Sequence, residues 1–383
     1  MTSFETILED IFRPIVSRLS GSLSSSLSPK LRSTRKLLWL PAVTVSVWLL
    51  LVPSVNGQSS LSTQGTWILD SEEADQVIPH PDSRERGLQT SGLSYDGDYL
   101  WSIGDQRSSI PATIIRIDPK TRLVLKPYYS IRVTKESLGE IPSRLLRGNP
   151  DFEGLAVINE RPRRFFAVIE SDGCYVVEGI LDDVRAEAQV TRVLSIRFEP
   201  EPVSGDINSR LEGIAVHDTE VWLAYERDGQ GVPLLYRGHL SPTSVELTIK
   251  RVALPLENLP ERENKGRVNF NGLDSLYDGS LLLAIVLRDQ ERLIFYRPET
   301  NAVSFVDLDF RSPDDLPIKW TSPEGIALDS EGDRLWLISD PDSQRGNYRH
   351  DHESEATGFF RTMVPLLFEL RLSDLLRLAT ELY

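Results

Sequence analysis

Glu153, Glu212 and Glu324 each stand directly before a glycine that opens a short apolar run: "DFEGLAVINE" (151–160), "RLEGIAVHDT" (210–219) and "SPEGIALDSE" (322–331). Two looser copies, "TSGLSYDGDY" (90–99) and "FNGLDSLYDG" (270–279), put Ser91 and Asn271 in the same place. All five residues carry oxygen, and three are carboxylates. If they meet, each carboxylate pair at about 5 Å repels by about 3 kcal/mol at an effective dielectric near 20. Three such pairs are a large fraction of the roughly 5–15 kcal/mol that holds a domain folded. A bound cation, arginines or protonation of one or more acids must then offset the repulsion. An all-oxygen set with one amide suits Ca2+ best, then Mg2+ or Mn2+, and lacks the His and Cys that zinc prefers. Glu153, Glu212, Asn271 and Glu324 are therefore the candidate metal ligands. The competing reading is that these acids accept backbone hydrogen bonds at strand starts and bind nothing.

A second set of acids closes the next apolar run of each copy: Asp105, Glu170, Glu226, Asp289 and Asp340. If that second strand returns to the opposite end, these acids cannot share a site with the first set and become turn residues or exposed charges. In a hydrolase, Glu170 or Glu226 is the candidate catalytic base. The neighbouring Arg227 or Arg288 then holds an anionic group of the substrate, and Arg107 is a third cation of this kind. Pairing of each arginine with an adjacent acid is the alternative. No Ser-His-Asp order, G-x-S-x-G elbow, phosphate-binding glycine loop or zinc motif competes with these residues. His350 and His352 sit two apart in a polar stretch, 340–363, without the other ligands of a zinc site, so that stretch reads as a solvated loop.

The elements that must position these residues follow from the repeat. The aligned glycines Gly92, Gly154, Gly213, Gly272 and Gly325 are 62, 59, 59 and 53 residues apart. A period of this length without helical patterning points to blades or a solenoid. Inside the second copy, "LAVI", "FFAVIES", "CYVVEGIL" and "AQVTRVLSIRFEP" are four short strands joined by turns, with Asp172-Gly173 a hairpin signal. The third and fourth copies repeat the plan. The expected fold is all-β: a single β-propeller of four-stranded antiparallel blades, whose ring leaves few open edges. The last copy has three strands, "IAL", "RLWLIS" and "PLLFELRL", and "GTWILD" (65–70) is placed to supply its fourth and close the ring. Five blades result, or six if residues 58–90 supply more than one strand. The closing "SDLLRLATELY" reads as a short helix.

Residues 1–57 differ from the rest. Six Lys/Arg and three Asp/Glu precede or flank the uncharged run "LLWLPAVTVSVWLLLVP" (37–53), the layout of an export signal, with a cut after Gly57. The run is short for a membrane span, and an uncleaved N-terminal anchor is the alternative. Either way residues 58–383 form the exported domain, periplasmic or extracellular. Without the leader the net charge moves from −15 to −18, which argues against nucleic acid or an anionic membrane surface as partner. Cys174 is the single cysteine. No intramolecular disulfide is available, and a buried inert thiol is the expectation.

The ordered series "SGLSYDGDYLWSIGDQ", "DFEGLAVINERPRRFFAVIES", "LEGIAVHDTEVWLAYERDG", "FNGLDSLYDGSLLLAI" and "SPEGIALDSEGDRLWLISD" resembles the phytase-like family, whose name refers to esterase-like activity of phytase. A more distant likeness is to regucalcin and gluconolactonase-type propellers. In those the residue before such a glycine is a metal ligand, and the metal activates a lactone or ester. That implies the same role for Glu153, Glu212, Asn271 and Glu324. The resulting expectation is an exported, monomeric, divalent-cation-dependent hydrolase of phosphoesters or esters acting on a small anionic or ester substrate. The alternative is a non-catalytic ligand- or protein-binding propeller with a structural cation.

Overall fold

In the computed structural model, residues 60–70, 90–104, 112–138, 151–170, 173–205, 210–256, 259–260, 262, 266–318, 321–329, 331, 333–340 and 365–381 are described. Residues 1–57, Asp105, Arg107, Asp172 and the polar stretch 341–363 lie outside them. Gly57–Tyr383 forms one unit. Among the described residues, no helix is long and apolar enough to cross a membrane.

The glycine repeat becomes four antiparallel meanders of four strands each. These are β3 (Thr90–Tyr95), β4 (Leu100–Gly104), β5 (Thr113–Ile117) and β6 (Leu123–Arg132); β7 (Phe152–Ile158), β8 (Arg164–Ile169), β9 (Tyr175–Asp182) and β10 (Glu187–Glu199); β11 (Leu211–His217), β12 (Glu220–Tyr225), β13 (Leu234–His239) and β14 (Glu246–Val252); and β15 (Gly272–Tyr277), β16 (Leu281–Leu287), β17 (Arg292–Arg297) and β18 (Ala302–Arg311). A fifth group has β19 (Pro323–Leu328), β20 (Arg334–Ser339) and β21 (Leu366–Arg371). Beside β21 lies β1 (Leu61–Trp67), antiparallel to it over Gly65–Trp67 and parallel to β18 over Leu61–Gln64. The next two residues, β2 (Leu69–Asp70), pair with β6. The N-terminal segment thus hydrogen-bonds to strands of three groups. Two helices complete the described elements: α1 (Lys135–Leu138) and α2 (Leu372–Glu381).

Strand position explains composition. β16, "LLLAIVL", is buried at every position because groups cover both its faces, so it reads as a continuous apolar run. β14, the last strand of its meander and paired on its other side with β10, alternates exposed and buried residues over its first five positions because one face meets solvent. Hydrophobic clusters lie between adjacent groups, as where Ala156, Phe166 and Val176 meet Ile214, Leu223 and Tyr236. This is sheet-on-sheet burial, worth about 25 cal/mol per Å² of apolar surface.

The first strands make a ring: β3 packs on β7, β7 on β11, β11 on β15, β15 on β19, and β19 on β3. The repeated glycines are what let them approach. A Cβ on Gly272 would fall 2.2 Å from the carbonyl oxygen of Glu324, and one on Gly154 would fall 2.7 Å from the amide nitrogen of Ile214. A Cβ on Gly325, in the last group, would fall 2.9 Å from the amide nitrogen of Leu93 in the first. No side chain larger than hydrogen fits at these backbone contacts. Ring neighbours are also joined by side chain to backbone: Val157 N–H donates to Ser94 Oγ (2.9 Å), and Leu328 N–H to Asp274 Oδ2 (2.7 Å). The ring of first strands with meanders radiating outward is a β-propeller arrangement.

Candidate functional site

Each first strand begins, and each second strand ends, at the same side of its hairpin. The amide of Glu170 donates to Asp151 C=O (3.0 Å), that of Glu226 to Arg210 C=O (2.5 Å), and that of Asp340 to Ser322 C=O (2.9 Å). Asn271 N–H likewise donates to Val286 C=O (3.0 Å). The second set of acids therefore does not go to the opposite end, as a returning strand first suggests. In an antiparallel hairpin the end of strand two lies beside the start of strand one. Both sets share one mouth, and Glu153, Glu170, Glu212, Glu226, Glu324 and Asp340 are all buried there, as are Ser91 and Asn271.

The mouth has two halves. On the side of the second group, carboxylate oxygens of Asp151, Glu153 and Glu170 lie within 4.8 Å of one another. Asp151 Oδ1 is buried without a hydrogen-bond partner, and Glu170 Oε1 accepts the Arg210 amide (2.8 Å). Burial pushes Glu170 up to about 8; the Arg210 N–H opposes this, while the charges of Asp151 and Glu226 add to it. Three clustered carboxyls with an unmet oxygen fit a hard divalent cation, which takes six or more oxygen ligands as Ca2+ or fewer protein ligands as Mg2+.

On the other side the charge is balanced internally. Arg288, just past β16, reaches two groups at once: Nη1 to Glu324 Oε1 (2.5 Å) and Nη2 to Glu226 Oε1 (3.3 Å). The same Glu226 oxygen takes Arg227 Nη1 (3.0 Å) and Asn269 Nδ2 (3.1 Å). Burial alone would lower Arg288, but Glu324, Glu212 and Glu226 outweigh it and hold the guanidinium more firmly charged. Burial and the charge of Asp340 raise Glu324 to about 8 although Arg288 opposes them. Glu212 sits between the halves and is raised well above the usual carboxylate range, first by burial and then by Glu170 and Glu226.

Of the four candidate metal ligands, the structure brings Glu153 into the three-carboxylate cluster. Glu324 pairs with Arg288, and Glu212 lies among the other acids. Asn271 has neither side-chain N nor O hydrogen-bonded and is 1 % exposed. Of the four candidate catalytic residues, Glu170 is in the cluster, while Glu226, Arg227 and Arg288 form one ion-paired network. Sequence reading missed Asp151, Arg210 and Asn269, which occupy one repeat position, three residues before the aligned glycines. The signal was available: the second copy alone carries an acid three before the glycine, one before it, and one ending the next strand. Cys174 is buried and free, its thiol pushed up to about 11 by burial, as expected for an inert residue.

No family model matches the chain, and no curated protein does. Among solved structures the chain is similar to the major Malassezia sympodialis allergen Mala s 1 (10 % identity, 76 % of this chain and 95 % of that one, TM-score 0.41). It is also similar to a GH43_1 enzyme from Xanthomonas citri (14 %, 77 % and 88 %, TM-score 0.40). A third is the periplasmic gluconolactonase PpgL of Pseudomonas aeruginosa (15 %, 66 % and 63 %, TM-score 0.35).

Proposed function

We propose that residues 58–383 are an exported, monomeric five-bladed β-propeller, closed by β1 as the outer strand of its last blade. Its mouth holds a divalent cation, Ca2+ before Mg2+ or Mn2+, and hydrolyses an ester-type substrate. The observation that carries this reading is the convergence of Asp151, Glu153 and Glu170, with an unpartnered oxygen on Asp151, at the one place where all the first strands begin. Uncompensated, such a cluster works against folding.

Asp151, Glu153 and Glu170 would hold the ion. A divalent cation there supplies Lewis-acid polarisation of a substrate oxygen. Glu212, next to the cluster and raised above the usual range first by burial and then by Glu170 and Glu226, would be the carboxyl placed to hold or give a proton there. Arg288 locks Glu226 and Glu324 in place, so the wall facing the cluster is rigid. A second reading, a non-catalytic propeller with a structural cation, draws on the fact that Arg227 and Arg288 are already paired within the mouth.

The test is thermal melting of the chelator-treated chain with added Ca2+, Mg2+ or Mn2+, alongside turnover of an ester and phosphoester panel. Stabilisation and turnover that both disappear in Glu153→Gln plus Glu170→Gln support the hydrolase. Stabilisation without turnover supports the second reading, and neither response rejects the cation.

A further inference from the structure

A cavity of about 620 Å³ lies between the first and second groups, away from the mouth. It sits where the β7–β8 hairpin turns and β9 ends, at the opposite end of those strands from Glu153 and Glu170. No residue of the mouth lines it.

What it shows to solvent is mostly carboxylate. The side chains of Asp98 and Asp183 are 64 % and 57 % exposed, and the mostly buried Arg163 stands between them. Asp98 Oδ2 is 3.5 Å from Arg163 Nη2, and Asp183 Oδ2 is 3.8 Å from Nη1. Both distances exceed the roughly 2.7–2.9 Å of a charge-assisted hydrogen bond. The short bond of this guanidinium goes elsewhere, from Nε to the buried Asp96 (2.7 Å). Tyr129 O–H orients Asp183 by donating to its Oδ1 (2.5 Å). Asp98 and Asp183 therefore keep acceptor capacity for a ligand. The other two acids are engaged: Glu160 by Arg164 (3.2 Å), and Asp182 by the amides of Val184 and Arg185. The lining holds these four carboxylates against the two guanidiniums of Arg161 and Arg163, an excess of two negative charges.

The remainder of the wall is largely apolar, with Ile180, Leu181 and Val184. Val184 is 96 % exposed, so it contributes nothing to the core, and it stands in a turn where polar residues are usual. Carboxylates beside apolar surface match a side chain with an apolar stem and a cationic head, as lysine and arginine have. An anion is repelled there. Small-molecule sites are mostly apolar and enclose their ligand. This cavity is charged and open to solvent, which suits a side chain presented by another protein. The net charge of −15 attracts a basic partner from a distance.

We propose that this cavity docks a lysine- or arginine-bearing segment of a basic partner protein. The charged head lies between Asp98 and Asp183 and the stem against Val184. The proposal is independent of any chemistry at the mouth.

Isothermal titration of the full chain with tetra-arginine and tetralysine tests this, beside tetraglutamate and arginine amide. Low salt is used, where exposed charges are least screened. At least one basic peptide is expected to bind saturably at one site, about tenfold or more above arginine amide, and tetraglutamate not at all. Asp98→Asn plus Asp183→Asn should weaken that peptide by about tenfold or more. Val184→Lys, at a position with no packing to lose, places an ammonium of its own in the cavity and should do the same. Asp218→Asn changes an 89 % exposed acid at the β11–β12 turn, outside the cavity, and Glu153→Gln changes the mouth. Both should leave the affinity unchanged. No saturable binding, or unchanged affinity in either cavity variant, overturns the proposal. So does an equal loss in Asp218→Asn, which would mean diffuse attraction to an acidic chain, or in Glu153→Gln, which would put the peptide in the mouth. Arginine amide binding as tightly as the peptide overturns a protein partner by making the site one for a small cation.

Discussion

Gly272→Ala is the most direct perturbation of the ring that assembles the mouth. Gly272 does not sit in the left-handed region, so the substitution adds a methyl group and little else. That methyl would lie 2.2 Å from the carbonyl oxygen of Glu324. An ordinary contact is more than 1 Å longer, so β15 and β19 must separate by about that much. Both strands are fixed by hairpin ladders, Gly272 opposite Val286 and Gly325 opposite Ile338. The obstacle is backbone, which has no rotamer to change. Overpacking costs about 1–3 kcal/mol when side chains can adjust, and this case belongs at the upper end, about 3 kcal/mol. An unfolding entropy near 2.1 cal/mol/K per residue, over the 327 residues of Gly57–Tyr383, gives about 0.7 kcal/mol/K. The melting temperature should therefore fall by about 4 °C by calorimetry. Gly279→Ala is the comparison: its φ is +101° but nothing lies within 4 Å of the added Cβ, so only a strain of about 1–2 kcal/mol is expected. Equal melting of Gly272→Ala and wild type, or a larger loss from Gly279→Ala, would refute the close-approach reasoning.

Other outcomes follow from the charges of the mouth. Glu170 and Glu324 have folded pKa values raised to about 8. The native state therefore binds more protons than the unfolded one between roughly pH 4.5 and 8. Their contribution is fully present below that window and lost as pH rises through it. Chelator-treated protein should melt progressively lower from about pH 5 to about pH 9, and a flat or rising profile would contradict this. Arg288→Met leaves Glu324 without its guanidinium, while Glu226 keeps Arg227, and should cost about 3 kcal/mol. The loss should be greater at about pH 8.5 than at about pH 5.5, where Glu324 is protonated. Urea titrations at both values measure it, and a pH-independent loss would sink the argument. Glu170→Gln keeps an acceptor for the Arg210 amide and removes a crowded charge. With chelator at about pH 8 it should be as stable as wild type or more so; a lower melting temperature would mean Glu170 is structural.

The architecture was legible because it repeats. Five glycines at nearly even spacing, each followed by a small apolar run, encode a backbone approach that the structure displays at Gly154, Gly272 and Gly325. The alternation and turn chemistry of the second copy placed its four strands to within three residues at every end, the first strand starting at Phe152 rather than Leu155. The site was less legible. That a carboxylate precedes the glycine can be read from one copy, but which acids meet depends on hairpin ends. The pairing that brings Glu170 back beside Asp151 follows from the antiparallel hairpin itself, but which side chains then meet across the mouth does not. Arg288 was visible as a cation next to an acid. That it spans to Glu324 and Glu226, in the groups on either side of its own, is a property of the ring and not of its local sequence.

Calorimetric titration of Ca2+ into the chelator-treated chain, beside Glu153→Gln and Glu170→Gln, reaches the cation cluster without any assumption about substrate. Saturable binding at one site in the wild type, weakened at least tenfold in each variant, is what three converging carboxylates require. No saturable heat, or equal binding in both variants and wild type, would mean that Asp151, Glu153 and Glu170 hold no cation.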